Sequence, residues 1–257
     1  AFAAWPDSAT PLRNIANIKM SLAASPTEDT TARALRGEAL TFRDEFIERE
    51  PDVYQARADK AYVLTYLDRL DEAEAMYDEL LQTQGDNPEL LADVVGFARQ
   101  RQDYRRAADL NVKIADLYAA DAKPENDDKV VPLLTDAGNW YASRDVEAYP
   151  EALSALERAG RLDPADPDLL FYRLRTYFFY GQDLEEKAET AAEPQAQASR
   201  DQARQMFAAG VEVGNQLVGM AEHAEGYRYL ALCQGRLGDA AGAEQNMARY
   251  QQLIGGS

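Results

Sequence analysis

The sequence predicts an all-α fold of stacked antiparallel helix pairs, and three observations carry that prediction. Ala39, Ala73 and Ala107 recur 34 residues apart, and periods of that order mark repeat arrays. The surroundings of each alanine recur with it. Leu70, Tyr104 and Tyr149 stand three residues before Ala73, Ala107 and Ala152, and Leu80, Ile114 and Ala159 stand seven after. The β-branched residues, finally, never form an alternating run bounded by hairpin turns, so no strand is predicted.

The elements follow in order. Residues 11–24 carry Leu12, Ile15, Ile18 and Leu22 at helical spacing, and residues 27–48 carry Leu35, Ala39, Phe42 and Phe46. They read as a capping pair ending at Pro51. The first clear unit has a helix from Asp52 to Tyr66 and a second from Asp71 to Gln82, turning through Asp68, Arg69 and Leu70. Gly85, Asp86, Asn87 and Pro88 combine a stop and a start, with Gly85 expected in the left-handed exit and Pro88 in the first turn. The next helices run from Pro88 to Arg101 and from Asp103–Tyr104 onward. Looser copies contain Ala203, Phe207 and Gly210, then Ala243, Met247 and Tyr250.

The alanines have a packing cause. Two helices of a pair cross closely near the start of the second, where a large side chain would hold the backbones apart; a bulky neighbour one turn later fills the wider gap. A single pair cannot bury both its faces, so pairs must stack.

Together these features resemble the tetratricopeptide-repeat (TPR) family. Its small and aromatic positions on the first helix of a pair are matched by Ala61 with Leu64, Gly138 with Tyr141, and Leu174 with Tyr177. Its late proline is matched by Pro164 and Pro167 in the stretch from Arg161. The resemblance implies an α-solenoid, a right-handed superhelix of five to six pairs, with capping helices over residues 1–51 and the array over 52–257. Two intervals are long: Ala107 to Ala152 is 45 residues and Ala152 to Ala203 is 51, excesses of 11 and 17 over the period. Insertions are therefore expected near residues 120–130, with a short extra run from Ser143 to Ala148, and at 184–199. The latter is either a helical extension or a mobile loop interrupted by Pro194.

Composition narrows function. The 257 residues are 46% hydrophobic and 28% charged, with 45 acidic against 27 basic side chains and a net charge of −18. Such a surface repels phosphate backbones, so nucleic acid is not an expected partner. No apolar run is long enough to span a membrane. The start, Ala1-Phe2-Ala3-Ala4-Trp5-Pro6, fits a processed or excised chain, so a periplasmic or exported location is expected ahead of a cytoplasmic one; the resemblance extends to periplasmic assembly factors and cytosolic adaptors alike. Gly255, Gly256 and Ser257 read as a frayed end or a linker remnant.

Catalytic chemistry has few candidates. With one histidine, His223, and one cysteine, Cys233, no His–Cys or multi-histidine metal site can be assembled in one chain, and Cys233 reads as a buried structural thiol. Asp127–Asp128 and Glu185–Glu186 read as solvated charge, and residues 121–128 lack the glycine and final glutamate of a calcium loop. No enzyme activity, cofactor or metal is expected; a hydrolase using His223 or a carboxylate pair is the remote alternative.

The expected functional feature is a surface. In the family, first-helix residues that alternate with packing positions line a concave groove for a partner segment. Carried over, they are Tyr62, Tyr66, Arg99, Asn139, Phe171, Tyr172, Arg175, Phe178, Phe179 and Arg228, an aromatic and locally basic set. Six aromatics lie between Leu169 and Tyr180, more than one buried stripe needs, so they face either the folded-back insertion or a ligand. The family's two-carboxylate clamp would fall on Ala58, Tyr62, Asp93 and Asp136, whose acids repel a carboxylate ligand. The resemblance thus implies a non-enzymatic module that binds a protein or peptide to scaffold a complex. A structural subunit of an envelope-associated or multi-protein assembly, using its lateral faces, is the alternative, and Met247, Tyr250, Leu253 and Ile254 offer a stripe for a homodimer through the C-terminal repeat.

Overall fold

A computed structural model describes residues 9–25, 28–51, 53–121, 123 and 126–255. Twelve α-helices and no strand occur among them: α1 Thr10–Ala24, α2 Asp29–Arg49, α3 Tyr54–Tyr66, α4 Leu70–Gln84, α5 Pro88–Gln100, α6 Tyr104–Ala120, α7 Asp127–Tyr141, α8 Tyr149–Leu162, α9 Pro167–Thr190, α10 Gln195–Met220, α11 Ala224–Leu237 and α12 Ala240–Gly255. The all-α prediction holds. Contacts divide the chain into two compact units, Ala1–Asp103 and Tyr104–Ser257, with the boundary in the turn before α6. Asp52, the expected start of α3, the opening residues 1–6, parts of the first insertion (122, 124 and 125) and the last two residues lie outside the described set.

In the first unit α1 packs on α2, α2 on α3, and α3 on α4, while α5 touches both α3 and α4. In the second unit α6 to α12 pack in sequence, and α9 also touches α7 and α11. Apart from α1, odd-numbered helices thus meet their odd-numbered neighbours within a unit, the contact pattern of a solenoid.

The alanine seam is where the period put it. Ala39, Ala73, Ala107, Ala152 and Ala203 are all buried. In the second unit glycine continues the logic: a Cβ on Gly138 of α7 would stand 2.4 Å from Leu156 and 3.1 Å from the Ala152 carbonyl on α8. Ala243 departs from the pattern, being half-buried in a helix with no fully buried residue, because among the described residues α12 packs chiefly on α11.

Turns between paired helices share a device that the sequence did not reveal. Asp68, Gln102, Glu147 and Gly238 have φ of 63°, 60°, 50° and 86°, each two residues before the next helix and five before a period alanine. Around three of them the following N–H reaches back five residues, from Arg69 to Leu64 (3.0 Å), Asp103 to Ala98 (2.9 Å) and Asp239 to Gln234 (3.0 Å), the long bond of a Schellman cap. A Cβ in this region costs about 1 kcal/mol. Gln102→Gly is therefore expected to raise stability by about 0.5–1 kcal/mol and Gly238→Gln to lower it comparably, read as shifts of the urea midpoint.

Three expectations are corrected. Gly85 has φ −61°, in the right-handed region: the Asn87 N–H closes the turn on the Gln84 carbonyl at 3.0 Å, and Asn87 caps α5 through Glu89 N at 3.0 Å and Leu90 N at 3.4 Å. Ile18 and Leu22 are 60% and 51% exposed, because α1 buries Leu12, Ala16 and Ala23 instead, small residues that let it lie close on α2. Ala58, placed at a groove position by resemblance, is fully buried. The second insertion resolves as helix: it lengthens α9 to Thr190 and starts α10 at Gln195, with Leu184, Ala188 and Ala196 buried between them.

Candidate functional site: an aromatic cleft with two arginines

Residues 169–180 belong to α9, capped by Asp166, whose carboxylate accepts from Asp168 N at 2.8 Å. Their aromatics divide by helical phase. Tyr177 and Phe178 are buried; Tyr180 stacks on Tyr149 of α8 at 5.6 Å and accepts from Gln202 of α10 at 3.1 Å. Phe171, Tyr172 and Phe179 stay half-buried. Phe178, expected to line the groove, is 6% exposed and backs it, edge-on to Tyr229 of α11 at 5.5 Å. Phe171 stacks on His223 at 4.6 Å and meets Tyr229 at 6.0 Å.

A cleft of about 470 Å³ opens beside them, walled by Trp140, Phe179 and Tyr229 and set with Asn139, Arg144 and Arg175. Arg175 donates to Asn139 Oδ1 and lies over the rings of Tyr172 (5.2 Å) and Phe171 (5.8 Å). Among the described residues its charge thus meets neutral groups. Arg144, in the turn after α7, is exposed and has no ion-pair partner among the described residues. Burial raises the Tyr229 pKa, and the nearby Arg175 and Arg228 guanidiniums pull it back.

Past Phe179 and Arg144 the cleft runs into a hollow of about 250 Å³ bounded by Tyr149, Glu147, Asp183 and Glu186. Tyr149 is pushed up to about 12 by burial and then by those three carboxylates. One end of the depression is therefore cationic and aromatic, and the other acidic. Of the expected residues, Asn139, Phe171, Tyr172, Arg175 and Phe179 meet around this cleft. Arg228 sits on α11, paired with Glu225 at 2.9 Å and over Tyr229 and Tyr250. Tyr62, Tyr66 and Arg99 belong to the other unit. Sequence reasoning missed Arg144, Trp140 and Tyr229; only the extra run at Ser143–Ala148 pointed near them.

Groups considered for chemistry hold structural places. His223 caps α11, its Nδ1 accepting from Gly226 N at 2.9 Å. Cys233 is fully buried and its thiol is pushed up to about 12 by burial. Glu185 pairs with Arg236 at 2.6 Å, and Asp127 and Asp128 lie in the first turn of α7. Among the described residues no three His, Cys, Asp or Glu side chains come together as a metal site, and no helix is long and apolar enough to cross a membrane.

Antiparallel pairs, the 34-residue pitch and the small-residue seam decide the type of fold. It is TPR-like. The chain is similar to YrrB, a TPR protein described as having an unusual peptide-binding site, at 18% identity over 82% of this chain and 91% of that one, with a TM-score of 0.48. It is similar to PilF of Pseudomonas aeruginosa at 14% identity, 96% and 95% coverage and a TM-score of 0.47. Against PilW, a type IV pilus biogenesis factor, the values are 19%, 95% on both chains and 0.45. No family model and no curated protein matches the sequence. At these values neither partner nor compartment passes from those proteins to this chain.

Proposed function

We propose that this TPR-like chain is a non-enzymatic interaction module that holds a segment of a protein partner in the cleft of the second unit and so helps to scaffold or assemble a complex. The observation that carries this reading is the pair Arg144 and Arg175, two guanidiniums without a carboxylate partner among the described residues, beside half-buried aromatic rings in a chain of net charge −18. Arginine and aromatic side chains are the residues that anchor interfaces. A segment bearing an acidic and an apolar side chain suits them, and a basic residue beside it suits Glu147, Asp183 and Glu186.

Arg144→Glu combined with Arg175→Ala tests the reading in pull-downs from native extract, with circular dichroism confirming the fold. Capture should fall by at least about tenfold, equivalent to about 1.4 kcal/mol. Capture of every partner at wild-type levels excludes the cleft. A lateral-face reading is favoured by separate features, Ile254 at 52% exposure on the terminal helix α12 and the exposed Ile18 and Leu22 on α1; partners retained by the cleft variant but lost on Ile254→Glu place the contact, including a homodimer, at α12.

A further inference from the structure

The first unit holds a smaller and chemically different pocket. Tyr62 and Tyr66 of α3 are 42% and 43% exposed, their ring centroids 4.8 Å apart and their planes tilted by 56°. Beside them Tyr77, Phe97 and Thr65 floor a hollow of about 110 Å³ whose rim includes Asp93 and Gly96 of α5. A second hollow, of about 330 Å³, shares Tyr62 and Asp93 and contains Arg43 and Asp59. Arg43 is already engaged: its Nη1 lies 2.6 Å from Asp59 Oδ2 and its Nη2 donates to Asn17. Asp93 has no cation and no hydrogen-bond donor among the described residues. Burial and the like charges of Asp59 and Glu89 all act in one direction, raising its pKa to about 6. A carboxylate with no partner among the described residues thus lines the same hollow as two exposed tyrosine rings.

We propose that this pocket receives a lysine or arginine side chain of a partner protein, with the charge resting on Asp93 and the stem or guanidinium plane against Tyr62 and Tyr66. The site is independent of the cleft in the second unit. A cation is the occupant that removes the cost of the lone carboxylate, and tyrosine faces attract cations. A bare metal ion is a poor match, since one carboxylate among rings lacks the six or more oxygens that a hard cation gathers. Arg36 shows the same preference within the chain, lying over the Tyr66 ring at 5.6 Å and donating to the Tyr66 carbonyl at 3.3 Å. The net charge of −18 draws basic partners from a distance. Space is also present: a Cβ on Gly96 would meet no atom within 4 Å.

The test uses the full chain, ¹⁵N-labelled, titrated with acetyl-arginine amide and acetyl-lysine amide, with acetyl-norleucine amide as the neutral control. Saturable amide shifts on α3 and α5 are expected with the two cationic probes. Asp93→Asn should weaken them by about tenfold, and Gly96→Leu, which fills the hollow while removing a helical glycine, should abolish binding with an unchanged or higher melting temperature. Binding of the cations should tighten as pH rises through the Asp93 transition near 6. The groups around Asp93 are Asp59, Tyr62 and Tyr66 on α3, Arg36 and Arg43 on α2, Tyr77 on α4 and Glu89 on its own helix, and Asp93→Asn separates its titration from theirs. Equal binding of acetyl-norleucine amide, wild-type binding by Asp93→Asn, or no saturable shift with either cation overturns the proposal.

Discussion

Phe207→Ala is expected to cost about 3–5 kcal/mol, because a fully buried ring leaves a cavity that its surroundings fill only in part. The ring lies on Gly181 of α9, where a Cβ would stand 2.5 Å from Phe207 Cε1. Gly181→Ala alone should therefore cost about 1–3 kcal/mol by overpacking. On the Phe207→Ala background the same change meets no ring. It fills part of the cavity and gains helix propensity of about 1 kcal/mol, so the double variant should be no less stable than Phe207→Ala alone. Urea denaturation of the four proteins measures the coupling. Additive losses would mean that α9 and α10 do not approach through Gly181.

That seam was legible in outline because the period fixes which helix positions must be small, whatever residue supplies the smallness. Ala203 was visible in the pattern, whereas Gly181 was not: it sits on the opposing helix, where nothing in the one-dimensional repeat marks it. Helix α1 departs from its apolar spacing for a related reason. An interior helix needs apolar residues on two sides, but α1 is tied chiefly to α2 and buries alanines. Ile18 and Leu22 are thus left outside despite their spacing. The left-handed turn residues were hidden as well, since Gln102 and Glu147 carry none of the residue preference that φ above zero normally imposes.

The candidate site was legible only where one helix supplies it. Residues 169–180 drew notice by aromatic content, and the structure divides them between core and cleft according to helical phase. Arg144 and Tyr229 come from a turn and from another helix, and no spacing in the sequence joins them to Arg175. Asp93 was read as a repulsive residue at a family position. Its lack of a cation partner depends on Arg43 being held by Asp59, a long-range pairing that periodicity does not report.

Arg43 leads to the second large effect. The residue is 3% exposed; burial lowers its pKa, Asp59 raises it and Arg13 lowers it. Nη1 contacts Asp59 without hydrogen-bond alignment, and Nε has no acceptor among the described residues. Arg43→Met keeps the volume but leaves Asp59 and Asp93 facing each other without that cation, an expected loss of about 3 kcal/mol near neutral pH. The sign of the pH dependence follows from Asp93. Its folded pKa, about 6, lies above the ordinary 3.8, so the native state holds the proton more tightly than the unfolded chain, and ionisation subtracts stability as pH rises through about 6. Because the carboxylate is partly solvated, that subtraction is about 1 kcal/mol in the wild type. Without Arg43 it grows, so the deficit of Arg43→Met should be largest at about pH 8 and shrink toward about pH 5 as Asp93 takes up its proton. Asp93→Asn should remove this dependence in both backgrounds. Urea denaturation at the two pH values decides the matter: an equal deficit at both would assign Arg43 a packing role alone, with no electrostatic hold on the Asp59–Asp93 pair.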